Sequence, residues 1–176
     1  MKRIAPQPTS NIYWDHRFSC DTAKLLPGEY FGTDRDMMIV TVLGSCVAAC
    51  LRDRVSGVGG MNHFLLPEDL DGPAALAPSP RYGNFAMEAL IIELLRLGAC
   101  RENLEAKVFG GGNVISGLTA VNVGERNAAF VKAYLHEQKI PVVAEDLNDV
   151  RPRKVHFFPR TGRVLVKSLG RDTPGS

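Results

Sequence analysis

The chain has no CxxC pair, no apolar run of membrane-spanning length and almost no charge imbalance, and each lack closes a class of function. Its four cysteines are Cys20, Cys46, Cys50 and Cys100, too scattered for a zinc ribbon or a dithiol redox centre. Cys46 and Cys50, on one strand, would share a face roughly 13 Å apart at the usual rise per residue, beyond disulfide reach. Residues 1–27 show no secretory leader, so reduced thiols in a cytoplasmic protein are expected. His16, His136 and His156 lie far apart without metal-ligand spacing, and neither a metal nor a cofactor is expected. No apolar stretch approaches the ~20 residues of a spanning helix, which argues against membrane insertion. A net charge of +2 is too small to argue for nucleic acid. The cations that do gather, Arg151, Arg153, Lys154, Arg160, Arg163 and Lys167, read first as a solvated strand-and-turn face and second as a docking surface for an acidic partner. With 45% hydrophobic and 23% charged residues, what remains is an ordinary globular chain long enough to bury one core.

Residues 1–27 read as a polar, aperiodic N-terminal extension, with Tyr13 and Trp14 available to pin it to the body. From residue 37 to 42 an apolar, β-rich run reaches Gly44, resumes over 47–51, turns at Asp53-Arg-Val-Ser-Gly57 and returns over 58–66. Residues 68–82, proline-rich and without period, read as a loop. Asn84 is placed to cap a helix over 85–97 that Gly98 ends, with Ala86, Leu90, Ile91, Leu94, Leu95 and Leu97 forming its buried stripe. A short strand over 107–109 enters Gly110-Gly-Gly-Asn113. A second helix over 124–138 offers Ala128, Val131, Ala133 and Leu135 inward. A strand over 140–144 and a hairpin of 155–158 with 163–166 close the order. Strands, helix, strand, helix, strand and hairpin predict an α+β single domain, with two main helices packed on mixed or antiparallel β-sheet. The domain is expected over 28–168, with a tail over 169–176.

Chemistry concentrates at Cys46, in Thr41-Val-Leu-Gly-Ser-Cys46, and at His63, in Gly-Gly-Met-Asn-His63. A thiol attacks only as thiolate, scarce at neutral pH with a free pKa near ~8.5. An imidazole can take that proton and return it to a leaving group, and adjacent strands can bring residues seventeen apart into reach. From pattern alone, a small buried cysteine and a satisfied core histidine stand as the alternative. Ser45 lacks the Gly-x-Ser-x-Gly elbow of a serine nucleophile. Gly110-Gly-Gly-Asn113 fits neither phosphate-loop pattern, and reads as a tight turn or as a turn lining a cleft. Arg126-Asn127 at a helix start reads as structural.

Five ordered blocks extend the pattern: Thr41 to Asp53 with Val58 to Pro67; Arg81-Tyr-Gly-Asn-Phe-Ala-Met-Glu-Ala-Leu90; Lys107-Val-Phe-Gly-Gly-Gly-Asn113; Val123-Gly-Glu-Arg-Asn127; and Ile140 to Asp146 with Arg153 to Gly162. In content and spacing they resemble the CheD family of chemoreceptor glutamine deamidases, over roughly residues 28–168. The resemblance implies a layered α/β sandwich whose site is similar to those of toxin deamidases and, by convergence, papain-like proteases. It implies Cys46 as nucleophile, His63 as base and an orienting threonine shortly before the cysteine. Thr41 is the candidate, five residues ahead of Cys46 where the family pattern has six, the position of Val40; a backbone carbonyl or Asn62 are the other groups available to orient the ring. Backbone N–H groups near Gly44, Ser45 and Cys46 are expected to hold the oxyanion, with Gly111, Gly112 and Asn113 as cleft candidates. The implied activity is cofactor-free conversion of glutamines on methyl-accepting chemotaxis receptors to glutamate through a thioester. A CheC-like phosphatase is a further partner in some lineages. A non-catalytic receptor-binding adaptor and a receptor methylesterase are the competing readings.

Overall fold

The computed structural model describes residues 5–66, 79–113 and 123–170. The central element is β6 (Val47–Asp53), buried on both faces. Successive strand residues face opposite sides, and here each side finds its own core. Val47, Ala49 and Leu51 pack toward the helices, whereas Ala48 and Cys50 pack toward a second sheet. The molecule is therefore three layers, helices on sheet on sheet.

The middle layer places β6 between β7 (Gly59–Asn62) and β8 (Leu104–Gly110), both antiparallel to it. Outward lie β4 (Glu29–Thr33) and the short β1 (Gln7–Pro8) on one side, and β9 (Val142–Leu147) on the other. The second sheet runs β11 (Arg163–Ser168), β10 (Arg153–Phe158), β5 (Met38–Leu43), β3 (Cys20–Leu25) and β2 (Ile12–Asp15). Parallel pairing joins β3 to β5 and β8 to β9, so both sheets are mixed. The α+β arrangement with two main helices on mixed sheet is the one expected from the order of elements, and the layered sandwich is the one the resemblance implies.

Helix α1 spans Ser79–Arg96 and α2 spans Val123–Glu137. Ala86, Met87, Leu90, Ile91 and Leu94 of α1 are buried against the middle sheet. Gly98, at φ +104, ends α1 as expected: the Gly98 N–H returns to Leu95 O and the Ala99 N–H to Leu94 O. The helix begins six residues before the expected Phe85. Pro80 does not prevent this, because a first-turn residue has no intrahelical N–H bond to lose. Of the expected loop over 68–82, residues 68–78 lie outside the described residues and 79–82 belong to α1. In α2, Ala133 is exposed and Tyr134 takes its place inward.

The N-terminal segment differs most from its reading. Residues read as an aperiodic extension form β1, β2 and β3, and β3 sits between β2 and β5 with Ala23 and Leu25 in the inter-sheet core. Two apolar residues facing one way suffice to dock a strand whose other side is polar. The β6–β7 turn is tied by Asp53, which accepts from the N–H groups of Val55, Ser56 and Cys100. Burial opposes its charge, but those donors outweigh burial and hold the carboxyl at about 2.

Candidate functional site

The strands β5, β6 and β7 follow one another in sequence, and the site lies where they meet. Val47 and Phe64 exchange both backbone hydrogen bonds, at 3.0 and 2.9 Å. The same register pairs Cys50 with Met61 and Leu51 with Gly60, so it sets His63 opposite Ala48. Cys46 stands two residues from Ala48 on the same face. Cys46 and His63 are thus diagonal neighbours across the strand pair, a relationship within reach of longer side chains. Both side chains point between the sheets: Cys46 packs against the inter-sheet core, and His63 reaches across to β5.

What it reaches is Thr41. Thr41 lies on the inward face of β5, between Ile39 and Leu43, and is fully buried. Its Oγ1 is 2.7 Å from His63 Nδ1 and donates to the Leu25 carbonyl of β3 at 2.9 Å. A carbonyl only accepts, and a hydroxyl has one proton. With that proton committed to Leu25, the threonine oxygen accepts from His63, so Nδ1 carries the ring proton. Nε2 keeps the lone pair, and it is buried without a hydrogen-bond partner. An orphaned buried acceptor is uncommon in folded proteins.

The other groups available to orient the ring are occupied. Asn62, one residue earlier, faces the helices, where Oδ1 accepts from Ala49 N and Nδ2 donates to Ala86 O. Val40 points to the opposite side of β5 from Thr41. The one-residue difference in spacing from the family pattern therefore leaves a hydroxyl on His63.

Burial sets the charge state. It pushes the Cys46 thiol up to about 11, with its own backbone N–H as a smaller opposing influence. It brings the His63 imidazole down to about 4. The pair at neutral pH is thiol and free imidazole. Cys50 is fully buried and its thiol is pushed far up by that burial, and Cys100 is exposed. Half-buried Tyr82 of α1 looks onto the same place: its hydroxyl is 3.6 Å from where a Cβ on Gly28 would stand. Its pKa is raised by burial and then by the charge on Cys46. Gly28 in turn donates its N–H to the His63 carbonyl at 2.8 Å.

The loop from Gly44 to Cys46 is held by its carbonyls. Gly44 O accepts from Gly112 N at 2.9 Å and Cys46 O from Gly111 N at 2.8 Å, while Ser45 O accepts from Asn127 Nδ2 at 2.9 Å. The N–H groups of Ser45 and Cys46 find no carbonyl among the described residues. The Gly110–Gly112 turn thus buttresses the cysteine loop through its backbone. It needs glycine to do so: φ is +102 at Gly110, and a Cβ there would stand 2.3 Å from Cys46 O. Behind it, buried Arg153 holds the carbonyls of Asp146 and Asn148. Asn148 N then bonds Gly110 O at 2.8 Å. Asn113, a cleft candidate by sequence, has an exposed side chain, and its N–H goes to Asp149 O. Sequence reasoning missed Leu25, which acts through a carbonyl and leaves no side-chain signature. Asn127, expected to be structural, bonds two backbone groups of the loop and the following strand, Ser45 O and Leu66 N.

Among the described residues no group of three or more histidines, cysteines or acids is arranged for a metal ion, and no helix is long and apolar enough to cross a membrane.

Fold and site together describe an α+β sandwich carrying a cysteine–histidine pair where its two sheets meet. The chain belongs to the CheD family: the family model for CheD chemotactic sensory transduction matches residues 65–168. Relatives extend the match over nearly the whole chain. It is 63% identical over 168 residues to a probable chemoreceptor glutamine deamidase CheD of Methylobacillus flagellatus, covering 94% of this chain and 83% of that protein. Proteins of the same name from Thiobacillus denitrificans and a Janthinobacterium species are 66% and 64% identical, over 94% and 91% of this chain and 83% and 79% of theirs.

Proposed function

We propose that the protein deamidates glutamine side chains of methyl-accepting chemotaxis receptors to glutamate, with Cys46 as nucleophile, His63 as general base and acid, and Thr41 orienting the ring. The observation that carries this reading is the buried His63 Nε2, without a hydrogen-bond partner among the described residues, on a residue diagonal to Cys46 across the strand pair. With Nδ1–H given to Thr41, Nε2 is the one ring atom free to take a proton.

The neutral resting pair makes proton transfer part of the attack. As Cys46 Sγ bonds to the glutamine carboxamide carbon, its proton passes to His63 Nε2, and the carbonyl oxygen becomes an oxyanion held by the N–H groups of Ser45 and Cys46, which bond no carbonyl among the described residues. His63 then donates the Nε2 proton to the departing nitrogen. The C–N bond breaks, and ammonia leaves a thioester. Water attacks the thioester as His63 takes its proton. The second oxyanion collapses, the C–S bond breaks, and sulfur regains its proton. The balance is glutamine and water to glutamate and ammonia. Each turnover exchanges a neutral amide for a carboxylate on the receptor, a local charge change that biases a signalling equilibrium.

Incubating the protein with purified receptor fragments, then mapping peptides by mass spectrometry, tests the reading. Glutamine-to-glutamate conversion with stoichiometric ammonia is expected from the parent chain and none from Cys46→Ala. Conversion undiminished in Cys46→Ala excludes the nucleophile assignment. Methanol release from methylated receptor without ammonia marks an esterase, and receptor binding without either marks an adaptor.

A further inference from the structure

The register of β6 and β7 holds one more relationship. Val47 and Phe64 are a hydrogen-bonded pair, and in an antiparallel ladder such pairs recur every second residue. The next is Ser45 with Leu66. In a continuing ladder the Leu66 N–H would bond Ser45 O, and the Ser45 N–H would bond Leu66 O. Neither bond is made. Instead Asn127 of α2, fully buried, stands between the strands: its Oδ1 accepts from Leu66 N at 3.1 Å and its Nδ2 donates to Ser45 O at 2.9 Å. Arg126 donates to the remaining group, Leu66 O, at 3.1 Å.

Three of the four backbone groups of the missing pair are thus satisfied by two adjacent helix residues. The fourth, the Ser45 N–H, is left without a partner among the described residues, beside the nucleophile. We infer that Arg126 and Asn127 form a wedge that opens the strand pair one step beyond Val47–Phe64 and so releases the Ser45 N–H to bind the oxyanion. The inference rests on the reading of Cys46 as nucleophile. It makes Asn127 a positioning residue that acts through Ser45 and touches no reacting atom. The wedge requires helix and loop in close contact. Gly124 supplies this, since a Cβ there would stand 2.4 Å from the carbonyl oxygens of Gly111 and Gly112.

The other side of the loop follows the same logic. Gly111 N bonds Cys46 O, but the left-handed turn at Gly110 and Gly111 leaves the reciprocal bond from Cys46 N unmade. One N–H is freed by a side-chain wedge and its neighbour by a glycine turn.

Asn127→Asp tests the wedge, because the carboxylate keeps the acceptor for Leu66 N and loses the donor for Ser45 O. Loss of one oxyanion donor lowers kcat by about 10²–10³. The expected result is a fall of that order in kcat with KM nearly unchanged, while iodoacetamide alkylates Cys46 at the parent rate, since alkylation forms no oxyanion. A variant with parent kcat, or one whose alkylation falls in step with kcat, overturns the inference. Because Asn127→Asp can fail to fold, a second measurement uses the parent protein. A peptide whose glutamine side chain ends in an aldehyde adds to Cys46 as a hemithioacetal, and its oxyanion is expected to move the Ser45 amide proton downfield in NMR spectra. An unshifted Ser45 amide after addition also overturns it. Failure of the aldehyde to label Cys46, or turnover by Cys46→Ala, overturns instead the nucleophile reading on which the inference stands.

Discussion

The Thr41 hydroxyl lies 2.7 Å from His63 Nδ1 while giving its own proton to the Leu25 carbonyl. One oxygen therefore selects the ring tautomer and fastens the first sheet to the second. Substituting Thr41 breaks both links at once. Thr41→Val keeps the shape but leaves Nδ1–H unsatisfied in a dry site and takes one hydrogen bond from the Leu25 carbonyl, which stays paired in the β3–β5 ladder, at a cost of about 1–3 kcal/mol. At ~2–4 °C per kcal/mol for a domain of this size, a fall of several degrees in Tm is expected, with turnover down at least tenfold. Thr41→Ser retains the hydroxyl and most of the activity. Parent-like turnover in Thr41→Val, assayed below its Tm, would show that the ring needs no such partner.

Acid should destabilise the protein through His63. Its folded pKa of about 4 lies below the ordinary value of 6.5. Between those values the unfolded chain binds a proton that the folded chain does not, so stability falls as pH falls. The contribution is complete above pH 6.5 and is lost progressively down to about pH 4, on the order of 3 kcal/mol in all. Urea titrations of the parent and of His63→Gln across this range check it. The parent's slope with pH should exceed that of the variant, and equal slopes would place the acid sensitivity elsewhere.

Cys46 should behave as a buried thiol in the free protein. With its pKa near 11, the alkylation rate should climb about tenfold per pH unit through the neutral range, following the thiolate fraction. It should show no plateau between pH 5 and 8. Peptide mapping after iodoacetamide treatment separates Cys46 from exposed Cys100. A flat neutral plateau would indicate a preformed thiolate–imidazolium pair and a different order of proton transfer.

Gly110 and Gly98 form a matched pair for testing the buttress. Both have φ above +100, but a Cβ on Gly110 meets Cys46 O at 2.3 Å and one on Gly98 meets nothing within 4 Å. Alanine at either site incurs backbone strain of about 1–3 kcal/mol. Only Gly110→Ala should also displace the cysteine loop and lower turnover tenfold or more. Equal activity in the two variants, with equal losses in Tm, would mean that the loop does not depend on the turn.

The parts of the site legible in the sequence are those whose chemistry lies in a side chain. Thr41 sits on an inward face of β5, while Cys46 directly precedes β6 and His63 directly follows β7, and short-range apolar pattern captures those places. Leu25 was not legible, because it serves through a main-chain carbonyl that any residue owns. Nor was β3, whose place beside β5 is decided by two buried residues, Ala23 and Leu25, within an otherwise polar segment. Asn127 was half legible: its place on a buried helical stripe marks it, but its partners are backbone groups 61 and 82 residues away. The start of α1 was obscured by prolines that signal loops in general and are harmless in a first helical turn.

The Leu25 carbonyl gives the first two dozen residues an importance their composition hides. A chain trimmed to begin at β4 would keep the thiol, the imidazole and the threonine, and would look complete to any test for those three side chains. Its threonine proton, released from Leu25, would turn toward Nδ1 and drive the ring proton onto Nε2, the atom whose lone pair the proposed reaction needs. Such a fragment would carry every reactive group and be wired backwards.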